Sequence, residues 1–279
     1  MLDSERSAKW SRADENRSLV GEFVIGLREL WQYRYLALIL IRNRTRDRYH
    51  GSALGVLWSL VNPVLMMLGL ALIFPLIAKF TMPNYVGFLL SGVLAWGFIS
   101  NACLIGGDCY LVSEGFIRNV YLPRLLLPVV FVSTEAITLI IGSVALLLLG
   151  WTLNFGVLFR PITLVTAIIL TYLFCMGIVL GLSVALVYFR DLKNIIGVVL
   201  QALFYLSGII YPISILPENY QILMEFNPFF QFIRLFHIAI YGGDNLWNSI
   251  GTASITVILS LIIGFYINIR YAKYVIFRL

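Results

Sequence analysis

Apolar residues are concentrated in six long runs along this chain, and short polar segments separate the runs. A helix that crosses a bilayer needs about 20 mostly apolar residues, and each run approaches or exceeds that length. We therefore predict an all-α polytopic membrane protein with six transmembrane helices. The predicted spans cover residues 54–78, 85–105, 125–151, 161–189, 195–212 and 246–269.

Residues 20–41 follow a different pattern, because apolar positions recur every three or four residues and charged residues interrupt them. This pattern is typical of an amphipathic helix lying in the membrane interface, and a soluble helix packed on a partner is the alternative. Four arginines follow at alternate positions. We expect them to bind phosphate groups, either of the inner leaflet, which is the simpler interpretation, or of a lipid ligand. They are Arg42, Arg44, Arg46 and Arg48.

The stretch 213–245 is apolar, but prolines and charged residues interrupt it. Neither half is long enough to span a bilayer. We predict two short re-entrant helices, residues 218–226 and 228–241, that dip into the outer leaflet. Irregular backbone at that depth must be covered by protein or line a water-filled cavity, so this region is expected to line the exit of a pathway.

The composition also indicates a membrane protein, since 60% of the 279 residues are hydrophobic and 12% are charged. A soluble domain has about a quarter charged residues. The net charge of +6 is concentrated at one end, because ten of the twenty Lys and Arg residues precede residue 50. This distribution indicates a segment facing a membrane and argues against nucleic-acid binding. The three cysteines lie in or beside apolar spans and are expected to be buried thiols.

The positions of Lys and Arg predict the orientation of the chain, since cytoplasmic loops are enriched in both. Seventeen of the twenty lie before residue 53, in the connections 106–124 and 189–194, or in the tail. Six spans place both termini on this basic side, which we expect to be the cytoplasm. The chain then divides into a cytoplasmic segment with the interfacial helix, residues 1–52, and a transmembrane domain, residues 53–279.

The sequence offers few groups for catalysis or metal binding. None of the four lysines follows a glycine, so the phosphate-cradling loop of nucleotide-binding proteins is missing. No His or Cys cluster has metal-ligand spacing, and no nucleophile is paired with a base. Glu135 is the one acid within a predicted span, and it indicates either a proton-coupled transporter or a structural hydrogen bond in the bundle. Asn62 and Gln201 are interpreted first as groups that form interhelical hydrogen bonds.

Two further patterns concern contacts between helices and with other proteins. Gly-x-x-x-Gly patterns beginning at Gly51 and Gly177 allow close helix approach and weakly indicate dimerisation. The connection 108–119 is long enough for a short helix, in which Phe116 and Ile117 stand between charged neighbours. This helix could dock on another protein or pack on its own bundle, and these residues favour neither.

Three segments together resemble the permease subunits of ABC transporters that export polysaccharides, such as O-antigen, capsule and teichoic acid. Residues 49–58 (YHGSALGVLW) with Pro63 resemble the start of their first span. Residues 121–128 (YLPRLLLP) resemble the start of their third span, and 211–217 (YPISILP) with 227–229 (NPF) resemble their extracellular gate region. The likeness extends over nearly the whole chain from residue 25, with mild departures at His50, where Arg is common, and Tyr121, where Phe is common.

The resemblance implies the organisation of a transporter. Such permeases pair as homodimers and bind two separate ATP-hydrolysing subunits. ATP and Mg²⁺ belong to those subunits, so this chain would carry no cofactor, metal or catalytic residue. Residues 108–119 would contain the helix that couples permease to ATPase. The residues expected to make that contact are Ser113, Glu114, Gly115, Phe116, Ile117 and Arg118.

Two permeases of this type would enclose a pore lined with aromatic rings, on which the C–H faces of sugars stack. Aromatic residues form 14% of the chain, although many serve ordinary packing and interfacial belts. The candidates for the pore or substrate site are Trp58, Phe204, Tyr205, Tyr211, Phe229, Phe230 and Phe232, and those for guiding the lipid diphosphate are Arg42, Arg44, Arg46 and Arg48.

The resemblance thus implies the permease of an ATP-driven exporter in a bacterial inner membrane. It would move polyprenyl-diphosphate-linked polysaccharide, O-antigen before others, out of the cytoplasm. An exporter of another lipid or of a drug is the alternative within the class. A membrane glycosyltransferase or polymerase of lipid-linked sugars is a further alternative, with Glu218, Glu225 and Asp244 as its carboxylates on the outer side.

Overall fold

The structure, a computed structural model, describes residues 19–49, 85–152, 160–243 and 245–278 and the single positions 61, 65 and 69. Every regular element in these ranges is helical, which confirms the predicted all-α fold. The predicted first span, residues 54–78, lies outside the described residues except at those three positions. Trp58, Asn62 and the Gly51 pattern also lie outside them.

Within the described residues, four helices are long and apolar enough to cross a bilayer, and they match the predicted second, third, fourth and sixth spans. Numbered in chain order, they are α3 (Tyr85–Asn101, continued by a π-helical turn, Ala102–Gly106), α6 (Leu126–Thr152), α7 (Pro161–Tyr188) and α11 (Leu246–Tyr271). The shorter helices are α1 (Leu19–Gln32), α2 (Arg34–Tyr49), α4 (Cys109–Val112), α5 (Glu114–Asn119), α8 (Leu192–Leu206), α9 (Glu218–Glu225) and α10 (Pro228–Ile240). Turns of 3-10 helix cover Ile213–Ile215 and Ala272–Phe277.

The predicted fifth span is the shorter helix α8, which ends at Leu206 instead of residue 212. Its 15 residues extend over about 22 Å at 1.5 Å per residue, less than the roughly 30 Å of a bilayer core. Asn227 donates its side-chain amide to the Leu206 carbonyl at 2.9 Å, and Gly208 follows with a φ of 64°. The helix therefore stops because the chain turns and another segment satisfies a terminal carbonyl.

The amphipathic segment forms two helices, and the second extends to Tyr49, eight residues beyond the predicted end. The apolar side of α1 is exposed, with Trp31 at 71%, as contact with lipid requires. Helix α2, in contrast, packs along α6, and Ala37 is buried in that contact. The N-terminal segment thus combines a helix that has an exposed apolar side with one that joins the bundle.

The two short helices predicted at 218–226 and 228–241 are present as α9 and α10, within one residue of the predicted bounds. Pro228 occupies the first turn of α10, and the side-chain oxygen of Asn227 accepts a 3.0 Å hydrogen bond from Phe229 N. Ten of the thirteen residues of α10 are buried, because it lies among α3, α7 and α11. An apolar helix too short to span is thereby enclosed by protein, as the sequence predicts.

Helices α7 and α11 approach most closely at two glycines. A Cβ on Gly177 would lie 2.6 Å from the Leu261 backbone nitrogen, and a Cβ on Gly264 would overlap the Gly177 carbonyl. The close approach predicted for the Gly177 pattern is confirmed, and it occurs within one chain. All three cysteines are buried and free, which confirms the expected thiols.

The connections predicted on the basic side meet at one end of the molecule. Lys193 binds Asp108 at 2.6 Å, which joins the connection after α7 to the connection after α3. Tyr121 donates to Glu29 at 3.4 Å, which brings α1 to the same end. At the opposite end, Arg160 N donates to Ala239 O at 3.0 Å. The described helices thus run between a basic end and an opposite end that contains α9 and α10.

Candidate functional site

A buried carboxylate of α6 is paired with an arginine of α2. The Glu135 side chain is 1% exposed and that of Arg48 is 27% exposed. Arg48 Nη1 lies 3.1 Å from Oε2, and Nη2 bonds Oε1. Nη1 also donates to Thr138 Oγ1 at 3.2 Å. A guanidinium that binds both carboxylate oxygens is a strong ion-pair geometry, and it allows a charge to stay buried in a membrane helix.

This pairing favours a structural role for Glu135 over a proton-coupling role. The buried carboxylate has its counter-ion in Arg48, which is the partner that a charge inside a helix bundle requires. Glu135 follows Leu126, the first residue of α6, by nine positions, which is about 13 Å along the helix axis. Helix α2 therefore extends alongside α6 past the first two turns of that helix.

Arg44 and Arg48 lie one turn apart on the side of α2 that faces α6. The Arg44 guanidinium lies 3.4 Å from the centre of the Phe131 ring, which precedes Glu135 by one turn of α6. The two helices therefore run side by side in the same direction. Burial lowers the pKa of Arg44, and the nearby Glu135 carboxylate opposes that shift.

Arg42 and Arg46 lie on the other side of α2 and are exposed. Arg46 Nε lies 4.0 Å from Asp47 Oδ1, with the two side chains 72% and 68% exposed, and such a pair contributes little to stability. The structure thus divides the four arginines predicted to bind phosphate. Arg44 and Arg48 contact α6, whereas Arg42 and Arg46 face the surroundings.

The segment predicted to couple to another protein is helical, as α4 and α5, and lies at the basic end. Phe116 is 40% exposed on its outer side, whereas Ile117 packs inward beside Leu122 and Leu127. Glu114 and Arg118 form an ion pair of 2.7 Å one turn apart. The segment therefore packs on its own bundle with one side and leaves an apolar side uncovered.

That uncovered side is larger than the sequence suggested. Val112, Phe116 and Val120 recur every four residues and are 62%, 40% and 45% exposed, and we refer to these three residues as the apolar stripe. Because Ser113 separates α4 from α5 and Val120 is extended, helical spacing alone does not identify Val112 and Val120 in the sequence. The Tyr110 hydroxyl joins the segment to the bundle, because it donates a hydrogen bond to Arg124 O at 2.7 Å and accepts one from Asn268 Nδ2 at 3.2 Å.

The six described aromatic candidates fall into two groups. Phe204, Phe230 and Phe232 are buried within the chain, and Phe232 stacks on Phe174 with ring centres 4.3 Å apart. Tyr205 is 56% exposed, and Tyr211 and Phe229 are half-buried. Tyr211 OH donates to Tyr205 O at 2.8 Å, which ties the turn after α8 to the helix end.

Helix α8 presents a face that no described element covers. Val198 is 69% exposed, and Gln201 and Tyr205 follow on the same side as exposed residues. Gln201 makes no hydrogen bond to another described residue, so the interhelical bond predicted for it is not formed within the described part of the chain. An uncovered face on a helix too short to span suits contact with another subunit or with a polar pathway.

Comparison with known proteins places this architecture among transporters. The sequence pattern of the family described as "ABC-2 type transporter" matches residues 35–241. The O-antigen export system permease protein RfbA of Myxococcus xanthus is 26% identical over 219 residues, which cover 77% of this chain and 84% of that protein. RfbA of Klebsiella pneumoniae is 25% identical over 83% of this chain and 90% of its own length. The polysialic acid transport protein KpsM of Escherichia coli is 24% identical over 73% and 80%, respectively.

Proposed function

Because this chain belongs to the ABC-2 type transporter family, we propose that it is the permease that moves a lipid-linked polysaccharide, O-antigen before others, across a bacterial inner membrane. The observation that carries this proposal is the similarity to two RfbA permeases and to KpsM over most of each chain. The four apolar helices of spanning length agree with an integral membrane subunit. The chain itself is a transport subunit, and ATP is hydrolysed by a separate subunit.

The apolar stripe is the proposed contact with that ATPase. It lies at the basic end, which the distribution of Lys and Arg assigns to the cytoplasm. Phe116 is the proposed anchor, with Ser113, Glu114, Gly115, Ile117 and Arg118 around it. Two copies of the permease would bind two ATPase subunits, each holding ATP and Mg²⁺. Movement of the ATPase would be passed to the bundle through Tyr110 and the Asp108–Lys193 pair.

The exposed face of α8 is the proposed surface toward the pathway and the second permease. Tyr205 supplies an aromatic ring there, with Tyr211 and Phe229 beside it, and the C–H faces of sugars stack on such rings without requiring one sequence of sugars. Arg42 and Arg46 are the arginines free to receive a lipid diphosphate from the inner leaflet, because Arg44 and Arg48 contact α6.

Depletion of this chain from its host tests the proposed function. We expect full-length lipid-linked glycan to accumulate on the cytoplasmic face, with a loss at the cell surface that the wild-type chain restores. Accumulation of short or unpolymerised units would instead identify a glycosyltransferase or polymerase. Unchanged glycan together with loss of another exported lipid or of drug resistance would identify a different substrate.

A further inference from the structure

A cavity of 270 Å³ lies at the end of the molecule opposite the basic loops. It is bordered by the first turn of α3, the turn that follows α8, one side of α10 along its length, and the loop beyond α10. Its volume lies just below the range of about 300–1,000 Å³ that is usual for small-molecule sites, so it fits one sugar ring better than several. The side chains used below are Phe88, Tyr211, Phe230, Arg234, His237 and Tyr241.

Aromatic rings form much of the cavity wall. The Phe88 ring lies 3.8 Å from the His237 imidazole and meets the edge of Tyr241 at 6.2 Å. Tyr211 and Tyr241 are half-buried, so each has part of its ring at the cavity and part packed in the protein. Half-buried rings of this kind can receive the C–H face of a sugar without the cost of opening a packed core.

Polar groups complete the wall, and Arg234 is the one charged residue among the described residues that line it. His237 is 8% exposed, and its Nε2 has no hydrogen-bond partner among the described residues. This nitrogen is buried beside Gly92 and has no accessible surface at the cavity, so His237 contributes only its ring to the wall. Arg234 lines the cavity, but Glu225 lies 2.5 Å from its Nη1 and balances its charge. The arrangement therefore favours a neutral ligand with hydroxyl groups over an anion.

The backbone turns tightly at several positions around this cavity. Four described residues have a left-handed φ, namely Gly208 (64°), Gly242 (93°), Gly243 (146°) and Asn245 (64°), and all four line the cavity. A Cβ on Gly208 would also lie 3.1 Å from the Phe230 ring. Glycine adopts a positive φ without strain, so these positions allow the chain to turn tightly beside the cavity.

We propose that this cavity binds one neutral sugar ring of the exported glycan at the outer end of the pathway. The inference rests on the proposed function, since it names a site for that substrate. Tyr211 and Tyr241 would stack on the ring, and Arg234 would bind its hydroxyls. A site that binds one ring at a time would keep the exported glycan from moving back between cycles of ATP hydrolysis.

Binding of a matched pair of small sugars tests the site directly. The permease with its ATPase is placed in lipid nanodiscs, and saturation-transfer NMR is recorded with methyl α-D-glucopyranoside and with the corresponding glucuronic acid glycoside, which differs only at C6. We expect transfer to the neutral glycoside to be about tenfold stronger, as the compensated charge requires. A stronger signal from the acidic glycoside, or no signal from either, would overturn the proposal.

A cavity-filling variant and its neighbour provide the matched control. Ile213 lines the cavity, whereas Ile215, two residues later in the same 3-10 turn, is 49% exposed outside it. Ile213→Trp should abolish transfer to the neutral glycoside and lower glycan export about tenfold, whereas Ile215→Trp should leave both within about twofold. Equal effects of the two variants, or export unaffected by a filled cavity, would contradict the inference.

Photo-crosslinking in cells separates this site from the function as a whole. The photoreactive residue p-benzoylphenylalanine replaces Tyr241 in one variant and Phe226, which is 81% exposed at the same end, in the other. The inference predicts a glycan adduct at position 241 and none at 226. Glycan export that depends on the chain but yields no adduct at 241 would contradict the sugar site while leaving the exporter intact. Export that continues without the chain would contradict the proposed function itself.

Discussion

Replacing Arg48 with Ala leaves the Glu135 carboxylate, which is 1% exposed, without its cation. Removal of one partner of a buried ion pair costs about 3–5 kcal/mol, because an uncompensated charge stays in a low-dielectric environment. Arg44 lies one turn away and offsets part of this cost, so we expect the lower end, about 3 kcal/mol. The α2–α6 contact should therefore depend more on Arg48 than on any exposed arginine of α2.

The reverse substitution should cost less. After Glu135→Ala, the Arg48 side chain, which is already 27% exposed, can turn its guanidinium toward water or lipid phosphate. The loss is then one charged hydrogen-bonded contact, about 1–2 kcal/mol. The double variant Arg48→Ala/Glu135→Ala should be more stable than Arg48→Ala alone, because no buried charge is left over.

Thermal unfolding of the purified chain in one detergent measures this difference. At about 2–4 °C per kcal/mol, Arg48→Ala should lower Tm by about 6–12 °C. Arg46→Ala is the matched control, because that side chain is 72% exposed and its ion pair is weak, so its Tm should change by less than about 2 °C. Equal shifts for Arg46 and Arg48, or a larger shift for Glu135→Ala than for Arg48→Ala, would refute this reasoning.

Three further substitutions test other parts of the structure. Gly177→Leu should prevent stable folding, which size-exclusion chromatography would show as loss of monodisperse protein. Gly181→Ala should be tolerated, because the atom nearest to the added Cβ would lie 3.4 Å from it. Equal behaviour of the two variants would contradict the close α7–α11 contact. Phe116→Asp should abolish co-purification of the ATPase and leave Tm unchanged. Phe189→Asp, which changes another exposed aromatic residue at the same end, should leave co-purification intact. Binding of the ATPase to the Phe116→Asp variant would exclude the apolar stripe as the docking site. Asn227→Ala should cost about 1–2 kcal/mol in denaturant unfolding, because it removes both the α10 cap and the bond to Leu206 O, and an unchanged midpoint would show that neither is needed.

The spanning helices could be predicted from the sequence because each is a continuous apolar run, and apolar runs need no knowledge of neighbours. The end of α8 could not, because the turn depends on Gly208 and on an amide from Asn227, 21 residues beyond Leu206. Residues 207–212 remain apolar, so hydropathy alone carries the span past its true end. The two short helices were predictable because prolines define their starts.

The arginines show how a boundary error hides a contact. The four arginines occupy alternate positions just after residue 41, where the predicted amphipathic helix ends, and without a helix they form one basic cluster. In a helix that extends to Tyr49, Arg44 and Arg48 share one side and Arg42 and Arg46 the other. Helix geometry then explains why one pair of arginines contacts α6 and the other pair does not. The partner of Arg48 could not be predicted from nearby residues, because Glu135 lies 87 residues away in the sequence.

Movement of glycan by the purified components tests the central claim most directly. The chain and its ATPase are reconstituted in proteoliposomes with a fluorescent lipid-linked glycan, and the fraction reaching the far leaflet is measured with and without ATP. We predict movement of full-length glycan that requires both subunits and ATP hydrolysis and that Phe116→Asp abolishes. Movement driven by a pH gradient without the ATPase, or lengthening of the glycan when nucleotide sugars are added, would contradict the account.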